Sequence, residues 1–349
     1  MPRKTLRTPN QASSRPAQAA PRPPVLSSMK HSFAPSTAFF GVDVAKKTLV
    51  VHRHNGSATR TLGNDRSSIS AWLAGLPAAA VIACESTASY HRLLLDLAHA
   101  QGFRCYLLNP MDVHHYALSL GLRSKTDHVD AQLIARYVAN EHSRLHAWQP
   151  ASVASQALDG LIKRRAQLVR SRTALAASFA GMPEIGSALT LALRQLDALL
   201  KVLEARIRAA VKALPEGAAT AQRLASIPGV GPLTSSALTN LFTRVPFTGA
   251  DSTVAFVGMD PRANDSGEKR GRRRLTKRGP SELRRLLYNA AMAAARNPLW
   301  KPYFERDRSK RLSSTAAYVA LARRLLRLAF TLFRSRSMFD PDKLALKAA

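Results

Sequence analysis

"AFFGVDVAKKTLVVHRH", residues 38–54, is the stretch on which the fold turns. Two apolar, β-rich runs flank the polar Ala45-Lys46-Lys47, a pattern that predicts two neighbouring strands. Residues 56–64, "GSATRTLGN", predict a third strand, with Gly56 near the turn. The rhythm then changes. A helix is predicted around 66–75, ended by Pro77, then a buried strand in "AAAVIACES" that closes at Glu85. "YHRLLLDLAHAQG" predicts a helix with Gly102 at its C-terminal cap, "FRCYLLNP" another strand, and "GLRSKTDHVDAQLIARY" (121–137) a further helix. Hairpin strands followed by alternating strand and helix predict a mixed sheet flanked by helices.

The chain has 349 residues, with 52 Lys and Arg against 22 Asp and Glu, a formal net charge of +30. An excess of this size calls for a polyanionic partner, and nucleic acid is the default. Hydrophobic content of 46% allows real cores and excludes a disordered polycation. No apolar run approaches the roughly 18 to 20 residues that span a bilayer. Cys84 and Cys105 lie in strand-like runs and are expected as buried thiols of an intracellular protein rather than a disulfide or a metal pair. The opening "MPRKTLRTPNQASSRPAQAAPRPP" is rich in Pro, Ala and Arg, and the first 36 residues contain no acid. Residues 1–37 are expected as a disordered basic arm able to touch phosphates, although organellar transit peptides share this composition. Met29 is an alternative start.

Beyond the predicted α/β domain (38–150), residues 151–220 carry apolar positions at helical spacing and many basic ones. "GMPEIG" (181–186) interrupts them, so two long helices are expected, a coiled-coil-like spacer without catalytic residues. A second compact unit, mainly helical, is expected over 221–337, with a tail from 338 to 349. In it "IPGVG" (227–231) looks like the turn of a helix-hairpin-helix module, where Gly229 and Gly231 let backbone N–H groups approach a phosphate. A plain helix connector has the same look.

Four carboxylates stand out. Asp43 lies near the end of the first strand, Glu85 ends the "VIAC" strand, and Asp127 and Asp130 share one helical face at i and i+3. Each has an ordinary reading: a strand-end acid, a helix N-terminal acid, or, for Asp127, a first-turn residue after a Thr126 cap. Together they can surround a small volume. Carboxylates so crowded stay ionised only with cations among them, and hard divalent ions, Mg²⁺ (or Mn²⁺), suit oxygen donors best. Two such ions about 4 Å apart can stabilise both the attacking and the leaving oxygen in phosphodiester chemistry. Arg123 and Lys125 would then hold the nucleic acid. His114, His115 and His128 lack zinc-like spacing and are expected on the surface or on RNA, while Tyr90 is expected to pack.

"GVDVAKKTLVV", "CESTASYHRLLLDLAHAQGFRCYLLNP" and "GLRSKTDHVDAQLIARY" resemble the RuvC-like DEDD domain of a family of bacterial insertion-sequence transposases. "IPGVGPLTSSAL" and "FVGMDPRANDSGEKRGRRRLTKRGPSELRRLLYNAAM" resemble that family's second conserved domain. The resemblance runs from about residue 38 to 335. It implies an RNase H-like (RuvC-like) first domain and a serine transposase domain. It also implies divalent metal at Asp43, Glu85, Asp127 and Asp130, and Ser266 as a nucleophile that forms a phosphoserine link to DNA. Guidance by a structured bridge RNA that pairs with donor and target DNA, and a tetramer with active sites composed from two subunits, are further implications. So is a bacterial, cytoplasmic and nucleoid-associated setting. One departure is visible: Ala88 stands where the family usually has glycine after the glutamate motif. Without the family Ser266 reads as a turn serine. Arg270, Arg272, Arg273, Arg274, Lys277 and Arg278 would neutralise a scissile phosphate or make general phosphate contacts. Two rivals remain open: a metal-dependent endonuclease or junction resolvase in which water attacks, and a non-catalytic nucleic-acid-binding protein.

Overall fold

Strand Phe39–Val44 (β1) owes its place to alternation, with Phe40, Val42 and Val44 packed to one side. It pairs antiparallel with Thr48–Arg53 (β2) through a tight turn closed by the Ala45 N–H on the Thr48 carbonyl at 2.9 Å. Strand Thr59–Gly63 (β3) extends the meander. Helix Arg66–Ala74 (α1) follows, capped by Asp65, whose carboxylate accepts from the Ser68 amide and from the Ser67 and Ser68 hydroxyls. Those bonds hold it at about 2. Strand Val81–Glu85 (β4) joins the other edge of β1 in parallel, and Arg104–Leu108 (β5) joins β4 in parallel after helix Arg92–Ala100 (α2). The sheet order is β3-β2-β1-β4-β5, a mixed sheet with β2 reversed. Helices Pro110–Ser119 (α3) and Asp127–Glu141 (α4) complete the unit, which ends at Trp148. The computed structural model describes residues 37–86, 89–122, 127–262, 271 and 273–345, without the side chains of Asp127 and Ala345.

The two faces of the sheet bury different helices. Phe40, Val42, Ile82 and Cys84 face α1 and α2 through Trp72, Leu73, Leu94 and Leu95. Phe39, Val81, Ala83, Tyr106 and Leu108 face α3 and α4 through Val113, Leu133, Ile134 and Val138. Helix α4 lies so close to β1 that a Cβ on Gly41 would come within 2.2 Å of both the Ala131 carbonyl oxygen and the Ala135 amide nitrogen. Only glycine admits that contact.

The second unit, from Gln149 onward, is almost entirely helical. Val153–Ser178 (α5) and Gly186–Lys212 (α6) are the expected pair, separated by a short 3₁₀ turn at Pro183–Ile185. Arg165 to Glu204 (2.6 Å) and Arg172 to Asp197 (2.6 and 3.0 Å) bridge them. Leu158, Ile162, Ile207 and Val211 pack at their base. Gly217–Ala225 (α7), Pro232–Arg244 (α8) and Ala250–Val257 (α9) come next. A two-stranded ladder, Pro261–Arg262 (β6) with Arg274–Leu275 (β7), leads to Ser281–Ala294 (α10), Lys301–Ser309 (α11), Ser314–Ser335 (α12) and Asp342–Ala345 (α13). Helix α8 is buried from Thr234 to Phe242, and α12 closes the core with Leu321, Leu325, Leu326 and Ala329. No helix among the described residues is long and apolar enough to cross a membrane.

Cys84 and Cys105 are buried and unbridged, as expected. Burial pushes both thiols up, Cys105 to about 12. Neither will react with a thiol reagent at pH 8 in the folded protein, and both will react once it is unfolded in guanidinium. Gly41→Ala will lower the unfolding free energy of the first unit by about 1–3 kcal/mol, because the backbone of α4 must give way. Denaturant unfolding followed by circular dichroism measures it.

Candidate active site

The pairing of β1 with β4 runs from Phe39↔Val81 to Val42↔Cys84. The next residue on each strand is an acid, so Asp43 and Glu85 stand side by side where two parallel strands end. Side chains alternate along a strand. Phe39 and Gly41 face α4, so Asp43 does too; Val81 and Ala83 face it, so Glu85 does. Both acids are half-buried.

Helix α4 supplies the facing wall. Its middle, at Ala131 and Ala135, meets Gly41, while His142, just past its C-terminal end, has its ring 5.2 Å from that of Phe39. The helix therefore runs antiparallel to β1 and brings its N-terminus to the end of the strand that carries Asp43. Residues one turn apart share a face. Asp127 lies one turn before buried Ala131, and Asp130 one turn before buried Ile134. Asp130 thus extends the buried stripe of α4 past the edge of the sheet. Asp130 is half-buried; the Asp127 backbone opens the helix, and its side chain lies outside the described residues.

The donor set is hard carboxylate oxygen from three elements, the chemistry that Mg²⁺ or Mn²⁺ takes. Among the described residues, no three His, Cys, Asp or Glu side chains are grouped to hold a metal ion. Asp43, Glu85 and Asp130 are thus brought to one face without being closed into a ligand shell.

The loops beyond the two acid-bearing strands are tied together by a residue that sequence reasoning missed. The Asn64 side-chain amide donates to the Ala45 carbonyl at 2.9 Å and to the Tyr90 carbonyl at 3.2 Å. Its Oδ1 is buried without a hydrogen-bond partner. The only hint in the sequence is that Asn64 follows Gly63 at the end of a strand. Lys46 and Lys47, in the turn after Asp43, are exposed beside it. Tyr90 is 38% exposed rather than packed, contrary to expectation, because its segment follows the strand end at the rim.

In the second unit, Ser266, Arg270 and Arg272 lie outside the described residues, as do Arg123 and Lys125 in the first. Both ends of the segment bearing Ser266 are built firmly. Arg262 pairs with Arg274 in the ladder, the Thr276 amide donates to the Asp260 carbonyl at 3.1 Å, and the Thr276 hydroxyl donates to the Asp260 carboxylate. Gly258 and Gly279 let this strand press on the end of α9, where added Cβ atoms would meet backbone at 2.6 Å and 2.0 Å. Arg273, Arg274, Lys277 and Arg278 are all exposed. The two glycines of the 227–231 turn differ. Gly229 has φ +95°, and the place of its Cβ is taken by the backbone of α10 at Ala290, so its freedom serves packing. Gly231 opens onto empty space at the exposed N-terminus of α8.

An α/β unit with carboxylates at two neighbouring strand ends, joined in sequence to a helical unit with an exposed basic hairpin, is the build of an enzyme acting on nucleic acid. Comparison with known proteins narrows this. Residues 40–182 match the DEDD domain model of IS110-type transposases, described as "Transposase", and residues 221–305 match "Transposase IS116/IS110/IS902 family". The chain belongs to this family of insertion-sequence transposases, which act on DNA. It is 28% identical to the pilin gene-inverting protein of Moraxella bovis, over 87% of this chain and 98% of that one. It is also 28% identical to a probable family 20 transposase of Pseudomonas aeruginosa (73% and 83%) and to the transposase for IS1111A of Coxiella burnetii (74% and 78%). A solved Thermus thermophilus RuvC structure is similar over 32% of this chain and 97% of its own, at 16% identity and a TM-score of 0.23.

Asn64→Ala will leave stability within about 1–2 kcal/mol, the loss of two partly exposed hydrogen bonds. DNA cleavage will fall more steeply, because the loops after β1 and β4 are no longer tied. Paired denaturation and cleavage assays on one preparation separate the two effects.

Proposed function

We propose that this transposase cuts and rejoins DNA at a site formed by Asp43, Glu85, Asp127 and Asp130, with Ser266 as nucleophile. The observation that carries the proposal is the placement of Asp43 and Glu85 at adjacent strand ends facing the N-terminus of α4. The sheet order, with β2 reversed, supports an RNase H-like, RuvC-like reading of the first unit. The four carboxylates are the residues that would hold Mg²⁺ or Mn²⁺. A bound ion there would supply neutralisation of the charge on the scissile phosphate.

The Ser266 hydroxyl attacks the phosphorus; the Oγ–P bond forms as the P–O3′ bond breaks. The products are a phosphoserine link and a 3′-oxygen that leaves as a hydroxyl. Attack by the 3′-hydroxyl of another strand reverses the step, rejoins DNA and releases the serine. The cationic segment Arg270, Arg272, Arg273, Arg274, Lys277 and Arg278 steadies the phosphate, and the exposure of the last four supports that role. Arg123, Lys125 and the Gly231 turn are assigned to backbone contacts, which position DNA without reading sequence. A bridge RNA as guide and a tetramer as active form follow from the family resemblance. Exposed Leu191, Leu199 and Val202, close together on one side of α6, support association of copies. The name of the Moraxella bovis relative, pilin gene-inverting protein, supports inversion as another outcome of the same strand exchange.

Ser266→Ala will abolish the covalent protein–DNA adduct on denaturing gels. Asp43→Asn and Asp130→Asn will each reduce cleavage at least 100-fold and leave nucleic-acid binding within about threefold, on the order of what loss of one metal ligand does to chemistry rather than to phosphate contacts. Free 5′-phosphate ends with no adduct would favour a water-using endonuclease or resolvase. Binding indifferent to Mg²⁺, with no cleavage at all, would favour a non-catalytic binder.

A further inference from the structure

At the other end of α4, away from the acids, the first unit has an open cleft of about 560 Å³. His52, His54 and Asn55 form one wall; Gln132, Arg136 and Asn140 form the other. The sheet supplies the first wall by register. His52 lies opposite Gly41 in the β1–β2 ladder, so it points to the same face as Gly41, toward α4, and His54 lies two residues on. The turn is held open by Asn55 in a left-handed conformation, φ 59°, and by the Gly56 N–H on the Arg53 carbonyl at 2.9 Å. His52 is buried, with its Nδ1 3.1 Å from the Thr59 hydroxyl. In the second wall the Asn140 amide donates to the Tyr116 hydroxyl at 2.9 Å, which fixes that side chain.

The chemistry of the lining has one sign. No carboxylate lines the cleft, and Arg136 forms no ion pair among the described residues. Around His54 the facing charged and titratable groups are Arg136 from α4 and His52 from β2. Burial first, and Arg136 second, hold the His54 imidazole below its usual range, so it is neutral at pH 7. A half-buried imidazole beside an unpaired guanidinium, among amides, is a set of donors awaiting an anion. Residues 128, 132, 136 and 140 of α4 are four apart and exposed. His128, Gln132, Arg136 and Asn140 therefore form a continuous outer row from the acid end to the cleft, about 20 Å at 1.5 Å per residue.

We propose that this cleft is a phosphate subsite for a nucleic-acid strand, with Arg136 as its charged anchor and His54, Gln132 and Asn140 as its hydrogen-bonding walls. The strand that passes the acid end follows the outer row of α4 and places a backbone phosphate in the cleft, about six base steps away at 3.4 Å per step. Capture of the phosphate stands without the proposed cutting site; only the direction of the strand rests on that reading.

The test uses the full chain and three labelled oligonucleotides of one length: single-stranded DNA, duplex DNA and single-stranded RNA. Anisotropy titrations across a range of salt compare the wild type with Arg136→Ala and Arg136→Lys. The expected result is a loss of about three- to tenfold in affinity for at least one oligonucleotide in Arg136→Ala. Its slope of log K against log salt falls by about one, the signature of one lost phosphate contact, and Arg136→Lys restores most of it. The oligonucleotide affected tells DNA from RNA. In the wild type, bound oligonucleotide will raise the His54 ring pKa followed by NMR, since a phosphate offsets the repulsion of Arg136. Unchanged affinity and slope with all three oligonucleotides, and a His54 titration indifferent to them, would overturn the proposal. Because binding is read without cleavage, failure here leaves the acid site standing, and an active Asp43→Asn protein leaves this cleft standing.

Discussion

The close approach of α4 to Gly41 is the contact on which the first unit depends. A helix normally stands off a sheet by the thickness of the side chains between them. Here Gly41 removes that layer at one point, and small residues on α4, Ala131 and Ala135, meet it. The missing Cβ pins the helix axis over β1. A second contact, the Phe39 ring 5.2 Å from that of His142, makes the run antiparallel, so the N-terminus of α4 arrives at the strand end that carries Asp43. The same packing leaves the outer flank of α4 facing His52 and His54 at the other end, which creates the cleft there. The acid end and the cleft thus lie at opposite ends of one 15-residue helix packed on β1.

The second unit solves a related problem by other means. The segment that links β6 to β7 is anchored at both ends. Gly258, with φ 73°, ends α9 and accepts from the Lys277 amide, while Gly279 lets the returning strand lie directly on the Phe256 and Val257 backbone. Arg284 donates to the Val257 and Gly279 carbonyls from α10 and ties three elements at that point. Arg273, Arg274, Lys277 and Arg278 are exposed on a segment whose anchoring is done by backbone, by glycine and by Arg284.

Much of this was legible in the amino-acid sequence, and the parts that were not have physical reasons. The five strands and the α5–α6 pair announced themselves through alternation and helical spacing, signals that buried faces impose directly. Helix α3 was missed, although Asn109 caps it and Pro110 takes its first position, because "NP" reads equally well as a strand ending. The acids were legible as acids at strand ends and on one helical face. That the N-terminus of α4 comes to the strand ends was not, since the contacts that hold it there, at Gly41 and between Phe39 and His142, are revealed only by the packed structure. Gly229 was read as making room for a phosphate; that it also makes room for α10 was not legible, because the helix it touches lies some sixty residues further along the chain. Asn64 left almost no trace, because a side chain that bridges two backbone carbonyls leaves no period and no motif. Ser266 owed its place to the family resemblance alone.

On the proposed function, this packing gathers a divalent-metal site from residues far apart in sequence. The most direct test is anomalous diffraction from crystals of the full chain soaked in Mn²⁺. The expected result is an anomalous peak between the ends of β1 and β4 and the N-terminus of α4, within ligand distance of Asp43 and Asp130. Mn²⁺ bound elsewhere, or no peak there at a concentration that supports cleavage, would contradict it.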